Sequence, residues 1–172
     1  ISPEEGKGVL IFHFLKPSQG WETSVRQFLK SHPILMGITL LRERETAFLG
    51  NTHLNSTVPL NLKLRISPGS FFQVNLKQNE RLIQEVLEFL RVRRHERVLD
   101  LYSGVGNFTL PLATATQKVW GIEENAVAVK DARFNAQFNG IENAVFIHGR
   151  VEDVLKKWGK EKPDLIVLDP PR

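Results

Sequence analysis

Three short stretches of this sequence carry side chains that chemistry can use. The first is Asp100-Leu101-Tyr102-Ser103-Gly104-Val105-Gly106-Asn107-Phe108, in which an acidic residue stands four positions before a Gly-x-Gly pair. Glycine lets the chain turn tightly and lets a ligand approach the main chain. The second is Glu123, seventeen residues past Gly106. A carboxylate there can accept hydrogen bonds from both hydroxyls of a ribose. The third is Asp169-Pro170-Pro171-Arg172. Its prolines fix the backbone and remove donors, holding the acid in an extended turn that can present groups to a planar substrate. The first two stretches together point to a nucleoside-containing cofactor.

The loop departs from the Gly-x-Gly-x-x-Gly pattern, because Thr109 stands where the third glycine would be. Dinucleotide sites hold a pyrophosphate on a helix N-terminus. S-adenosylmethionine has no phosphate and carries an amino-acid tail and a sulfonium, so an Asp beside the loop suits it better. The Asp-Pro-Pro turn carries the reading on to methyl transfer.

These residues need elements to position them. Four apolar stretches, Arg97–Tyr102, Lys118–Ile122, Ala144–Ile147 and Leu165–Leu168, are each separated from the next by a helical stretch. Strands alternating with helices predict right-handed crossovers and a parallel sheet covered on both faces. The glycine loop follows the first strand and leads into a helix over Thr109–Thr114, Glu123 ends the second strand, and Asp169 follows the fourth. Upstream, the turn Ser67-Pro68-Gly69-Ser70 and Phe71-Phe72-Gln73-Val74-Asn75 precede a long amphipathic helix with Leu82, Ile83, Val86, Leu87 and Leu90 on one face.

Before that turn the pattern differs. A strand is predicted from Gly8 to Leu15 and a helix from Trp21 to Ser31, followed by short apolar stretches between Leu35 and Ile66 that read as an antiparallel β meander. The expected division is a small α+β unit over 1–66, a sheet covered by one helix, and an α/β, Rossmann-like unit with a parallel-type sheet over 67–172. A length of 172 residues accommodates one filled domain and part of a second. Hydrophobic residues at 41% and charged residues at 24% are close to the globular average. No apolar run approaches the roughly 20 residues of a membrane span, and no signal peptide pattern opens the chain, so a cytoplasmic location is expected.

The net charge of +4 is compatible with a polyanionic partner. Residues 91–97 gather Arg91, Arg93, Arg94, His95 and Arg97, which can meet phosphates or simply sit solvated at a helix C-terminus. The five histidines are scattered without metal-ligand spacing. The absence of cysteine excludes disulfides, thiolate metal sites and a thiol nucleophile in this chain.

Four pieces in order, Phe71-Phe72-Gln73-Val74-Asn75, Asp100 through Phe108, Gly121-Ile122-Glu123 and Asp169-Pro170-Pro171-Arg172, resemble the RNA 5-methyluridine methyltransferase family, as does Asn135-Ala136-x-x-Asn139-Gly140. The resemblance covers about residues 66–172. It implies a class I, S-adenosylmethionine-dependent fold with cofactor contacts from Gln73, Tyr102, Gly104, Gly106, Asn107, Glu123 and Asp169. In this picture Tyr102 lines the pocket, Asn107 sits at the loop's far side, Glu123 holds the ribose, Asp169 lies near the methyl donor and the target base, and Arg150 flanks the adenine. It further implies an RNA partner, ribosomal or transfer, for a monomeric enzyme with no metal and no membrane. The family's reaction starts with a cysteine thiolate adding to carbon 6 of uracil, and a general base later removes the carbon-5 proton. Both residues are expected beyond Arg172. The chain is therefore expected to be a fragment of a longer enzyme, cut at both ends and inactive alone.

Other readings remain at this point. Asp-Pro-Pro also serves methyltransferases that act on exocyclic amino groups, where an aromatic residue rather than Arg172 normally follows. A nicotinamide-dependent oxidoreductase is disfavoured by the missing third glycine, and a non-catalytic RNA-binding module would bind RNA without a cofactor.

Overall fold

The computed structural model describes residues 6–13, 19–42, 45–159 and 161–170. Contacts divide the chain into two units, 1–56 and 57–172. The division falls inside a strand, ahead of the turn at 67–70 where the sequence pattern suggested it.

In the first unit β1 (Gly8–His13), α1 (Trp21–Ser31), β2 (Leu35–Arg42) and β3 (Glu45–Gly50) form a three-stranded sheet in the order β1-β2-β3. Residues 14 and 15, expected to extend the first strand, lie outside the described residues. β1 and β2 are parallel, and β2 and β3 antiparallel. Within the stretch expected to form one antiparallel meander, Leu35 to Ile66, β2 and β3 pair as expected, but the meander does not continue past β3. α1 lies between β1 and β2 and makes their connection a crossover, which joins parallel neighbours. The last two strands of the supposed meander, β4 (Leu54–Val58) and β5 (Leu62–Ile66), pair with each other in a separate two-stranded sheet.

The second unit continues with α2 (Leu76–Leu90), β6 (Arg97–Leu101), α3 (Thr109–Ala113), β7 (Lys118–Glu123), α4 (Ala126–Phe138), β8 (Ala144–His148), α5 (Val151–Lys156) and β9 (Leu165–Leu168). Its sheet has the order β8-β7-β6-β9, with every pair parallel. Alternation divides the strand residues between two faces. Leu99, Leu101, Trp120 and Ile122 form one core cluster with Val151 of α5, against which Trp158 packs. Val98 and Val119 are fully buried on alternate positions, as are Leu110 and Leu112 of α3. Helices therefore close both faces, as the alternating pattern predicts.

α4 attaches β5 to this sandwich through side chains rather than through a strand. The Asn139 amide accepts from the Lys63 N–H at 2.9 Å and donates to the Lys63 carbonyl at 2.7 Å. Four residues earlier, Asn135 accepts from the Arg65 N–H at 2.8 Å and donates to the Arg65 carbonyl at 3.1 Å. The registers match because four helical residues advance about 6 Å and two strand residues about 6.7 Å. Two asparagine amides thus complete the edge of β5 as a neighbouring strand would. Asn135 is fully buried and also donates to the Val105 carbonyl at 3.1 Å, tying the glycine loop to the same helix.

Asn135→Ala leaves the Arg65 N–H and two carbonyls without partners in a buried place, so it is expected to cost roughly 2–4 kcal/mol in urea unfolding. Asn139→Ala, at the more open end, is expected to cost roughly 1 kcal/mol. Equal losses would contradict the edge-completing role.

Candidate functional site

The glycine loop begins with backbone that most residues avoid. Tyr102 has φ 64°, followed by Gly104 at 54° and Gly106 at 95°. An L-residue held in the left-handed region is strained, and such strain concentrates at ligand sites. Here it is offset by packing and hydrogen bonds. The Tyr102 ring lies against the core cluster of Leu99 and Leu101, and its hydroxyl donates to Glu152 Oε1 at 3.1 Å. The Ser103 N–H donates to the Ile122 carbonyl, and the Gly106 N–H closes a turn onto the Ser103 carbonyl, each at 3.0 Å.

Glu123, at the end of β7, fastens this loop. Its Oε2 accepts from the Gly104 N–H at 2.9 Å and its Oε1 from the Asn125 N–H at 2.7 Å. Two backbone amides orient the carboxylate and leave further lone pairs on each oxygen. Asn125 in turn caps α4, accepting from the Val127 and Ala128 N–H groups, and donates to the Gly69 carbonyl at 2.7 Å.

A cleft of about 680 Å³ opens over these groups, lined by Gly69, Phe71, Gln73, Tyr102, Gly104, Glu123, Glu124, Asn125, Ala128, Asp169 and Pro170. It lies beyond the carboxyl ends of β6, β7 and β9. β7 and β9 flank β6 on opposite sides, so the strand order reverses here, where open α/β sheets bind ligands. A side chain at Gly104 would meet little besides the Phe71 carbonyl at 4.0 Å, so the loop leaves the cleft floor open. Among the described residues the lining holds three carboxylates and no lysine or arginine. Its charge suits a cationic ligand and opposes phosphates.

A fourth carboxylate lies beneath the loop. Asp100 is 1% exposed; its Oδ2 accepts from the Thr109 hydroxyl at 2.5 Å, while its Oδ1 has no partner. Burial pushes its pKa from 3.8 up to about 7, Asp169 and Glu123 push the same way, and the hydrogen bonds from Thr109 oppose the shift.

Five of the residues expected at the site, Gln73, Tyr102, Gly104, Glu123 and Asp169, come together in this cleft. Gly106 and Asn107 are not among its lining residues. The position of a Cβ on Gly106 is 3.1 Å from Leu110 Cγ and 3.3 Å from the Phe146 ring, so this glycine allows the loop to pack on α3. The Asn107 and Asn79 side-chain amides exchange two hydrogen bonds of 2.8 Å, which fixes α2 to the loop. Arg150 is exposed and lies 3.7 Å from Glu152. In the basic cluster, Arg97 pairs with Asp164 at 3.4 Å. Pro171 and Arg172 lie outside the described residues. The sequence reading missed Phe71, Glu124, Asn125 and Pro170 as cleft walls. Asn125 had a readable signal, an Asn at a helix start two residues after the ribose candidate. Among the described residues no group of His, Asp or Glu is placed to hold a metal, and no helix is long and apolar enough to cross a membrane.

The fold is that of the class I S-adenosylmethionine-dependent methyltransferases. It superimposes with a TM-score of 0.74 on the Pyrococcus abyssi tRNA (uracil-54, C5)-methyltransferase solved with S-adenosyl-L-homocysteine, at 23% identity, covering 99% of this chain and 42% of that one. The M. jannaschii tRNA m1G37 methyltransferase superimposes with a TM-score of 0.57 at 15% identity, over 96% of this chain and 52% of that one. The sequence pattern of the tRNA (uracil-5-)-methyltransferase family matches residues 27–163, and the chain belongs to that family. It is 38% identical over 89% of its length to an uncharacterized RNA methyltransferase of Nostoc sp., of which it covers 35%. Over 64% of its length it is 46% identical to the 23S rRNA (uracil(1939)-C(5))-methyltransferase of Salmonella typhimurium, of which it covers 26%. The chain thus spans between about a quarter and a third of these relatives' lengths.

Asp100 has a consequence for stability. Its folded-state pKa lies above its unfolded value, so the folded state holds a proton that the unfolded state has lost between pH 4 and 7. Stability is expected to fall by roughly 2–4 kcal/mol across that window and to level off above it. Asp100→Asn should remove this slope in urea unfolding at pH 4.5, 6 and 8. Parallel profiles for the two proteins would contradict a buried Asp100 whose pKa is raised on folding.

Proposed function

We propose that the cleft binds S-adenosylmethionine and that a protein containing this chain transfers its methyl group to carbon 5 of uracil in RNA. The observation that carries the cofactor reading is the cleft at the strand-order reversal, with Glu123 beside the glycine loop and, among the described residues, a lining that is anionic and holds no cation. A sulfonium and an ammonium are favoured by that charge, whereas a pyrophosphate is not. Family membership and the activities of the Salmonella and Pyrococcus proteins support uracil carbon 5 in RNA as the target.

The residues fit such a cofactor. Glu123 accepts from the ribose hydroxyls with the lone pairs its two amide contacts leave free. Tyr102 walls the nucleoside, Gly104 lets it approach the main chain, and Gln73 reaches over it from the turn before α2. Asp169 faces the methyl donor and the incoming base. Gly106 and Asn107 act one step back, by holding the loop against α3 and α2. Asp100, with its unpartnered Oδ1 beneath the loop, adds negative potential toward the amino-acid tail when ionised. When bound, the cofactor supplies an electrophilic methyl group.

Carbon 5 of uracil must first be made nucleophilic, which in this family's chemistry takes a thiolate adding to carbon 6. The chain has no cysteine, so that step falls to residues outside it.

Calorimetric titration of the chain is expected to show saturable binding of S-adenosylmethionine, weakened about tenfold to a hundredfold by Glu123→Ala, and no competition by NAD. Binding of NAD in preference to the methyl donor, or an unchanged Glu123→Ala, would overturn the cofactor reading. Incubation of the 172-residue chain with uridine-containing RNA and methyl-labelled S-adenosylmethionine is expected to yield no 5-methyluridine. Its formation would refute the requirement for an external thiol.

A further inference from the structure

We propose that Asp131, buried on α4 three residues after the cleft-lining Ala128, is a positioning residue for the cleft. It does so by holding the turn that presents Phe71 and Gln73. The proposal rests on the cofactor reading above and assigns a further residue to the site.

Asp131 is 1% exposed, and both of its oxygens are fully engaged. Oδ2 accepts from the Ser67 N–H at 2.7 Å and from the Ser70 hydroxyl at 3.2 Å. Oδ1 accepts from the Ser67 hydroxyl at 2.8 Å and from Arg65 Nε at 3.0 Å, and a second Arg65 nitrogen also lies 3.0 Å away. Arg65 is itself held, its guanidinium lying 3.7 Å over the Phe134 ring. A buried carboxylate is tolerable only with partners of this kind, and here they all come from residues 65–70. Asp131 is the third rung of the ladder begun by Asn139 and Asn135, four residues further up α4 and two further along the chain after β5.

That rung acts on a turn rather than on a strand. Ser67-Pro68-Gly69-Ser70 closes with the Ser70 N–H donating to the Ser67 carbonyl at 3.0 Å, and Gly69 has φ 91°. Proline followed by a glycine of positive φ is the pattern of a type II turn. Asp131 holds the base of the turn at Ser67 and Ser70, and Asn125 holds its crest at the Gly69 carbonyl. The next residues are cleft wall: Phe71, which is 75% exposed, and Gln73. Neither is anchored by its own burial, since both lie at intermediate or high exposure, so the turn supplies their order. Ligand groups that arrive pre-placed bind better because less freedom is lost on association.

Asp131→Asn keeps the shape but replaces one acceptor oxygen by an amino group that faces donors. The turn should then loosen while the sheet stays intact. The test is a double-mutant cycle on the 172-residue chain, with S-adenosylmethionine affinity read by calorimetry and folding by the thermal transition. Asp131→Asn is expected to weaken binding about tenfold and to remain folded; in the Gln73→Ala background the same change is expected to cost under about twofold. That coupling is the readout a merely structural role would not produce. Ser70→Ala, which removes a single hydroxyl contact, guards against an Asp131 variant that does not fold. It is expected to weaken binding about twofold to threefold and also to lose its effect beside Gln73→Ala. Unchanged affinity in a folded variant, or losses that simply multiply with that of Gln73→Ala, would overturn the positioning role. Failure of the unsubstituted chain to bind would instead overturn the cofactor reading, and this proposal with it.

Discussion

The site depends on where the sheet reverses its order. From β6 the chain crosses to β7 and on to β8, and then returns to place β9 on the other side of β6. Crossovers that leave a strand in opposite directions cannot both cover its carboxyl end, so a crevice opens there. Everything with chemical potential in the second unit sits at that crevice: the glycine loop after β6, Glu123 at the end of β7 and Asp169 after β9. Hydrophobic burial holds the strands in this order, with Val98, Val119 and Ile122 wholly inaccessible. The polar residues can then be placed with little freedom.

Closing the crevice on its remaining side takes a different kind of bond. The segment from β5 to the turn at 67–70 is fixed to α4 by asparagine and aspartate side chains at 131, 135 and 139, since among the described residues β5 pairs with β4 and with no second strand. Backbone groups that would otherwise be buried unpaired are satisfied in this way. The same helix begins at Asn125, whose N–H holds Glu123 and whose side chain holds Gly69. One helix therefore connects the ribose candidate, the turn and the glycine loop, and a change on its buried face is felt at a distance in the cleft.

Much of the second unit was legible in the sequence. Parallel strands buried on both faces read as continuous apolar runs, and β6 through β9 lie where those runs lie, within a residue at each end. The glycine loop and Glu123 were legible because their spacing reflects a strand, a turn and a return strand. Pairing partners were not, since periodicity tells which face a residue takes and nothing about its neighbour. Hence the stretch expected to form one meander divides between two sheets, and β5 is completed by side chains 70 and 76 positions away. Asn107 and Gly106 show the same limit on a smaller scale. The family resemblance implied ligand contact for both, whereas Asn107 is matched to Asn79 and Gly106 to the side chains of Leu110 and Phe146. Tyr102 resists such a division, because its ring is both core packing and cleft wall.

The most direct measurement is a crystal structure of the chain grown with S-adenosyl-L-homocysteine. The expected result is electron density in the cleft between Tyr102, Gly104 and Gln73, with the ribose hydroxyls on Glu123 and the amino-acid tail beside the glycine loop above Asp100. A ligand ordered elsewhere, or one whose ribose turns away from Glu123, would contradict the placement of the cofactor site at the strand-order reversal.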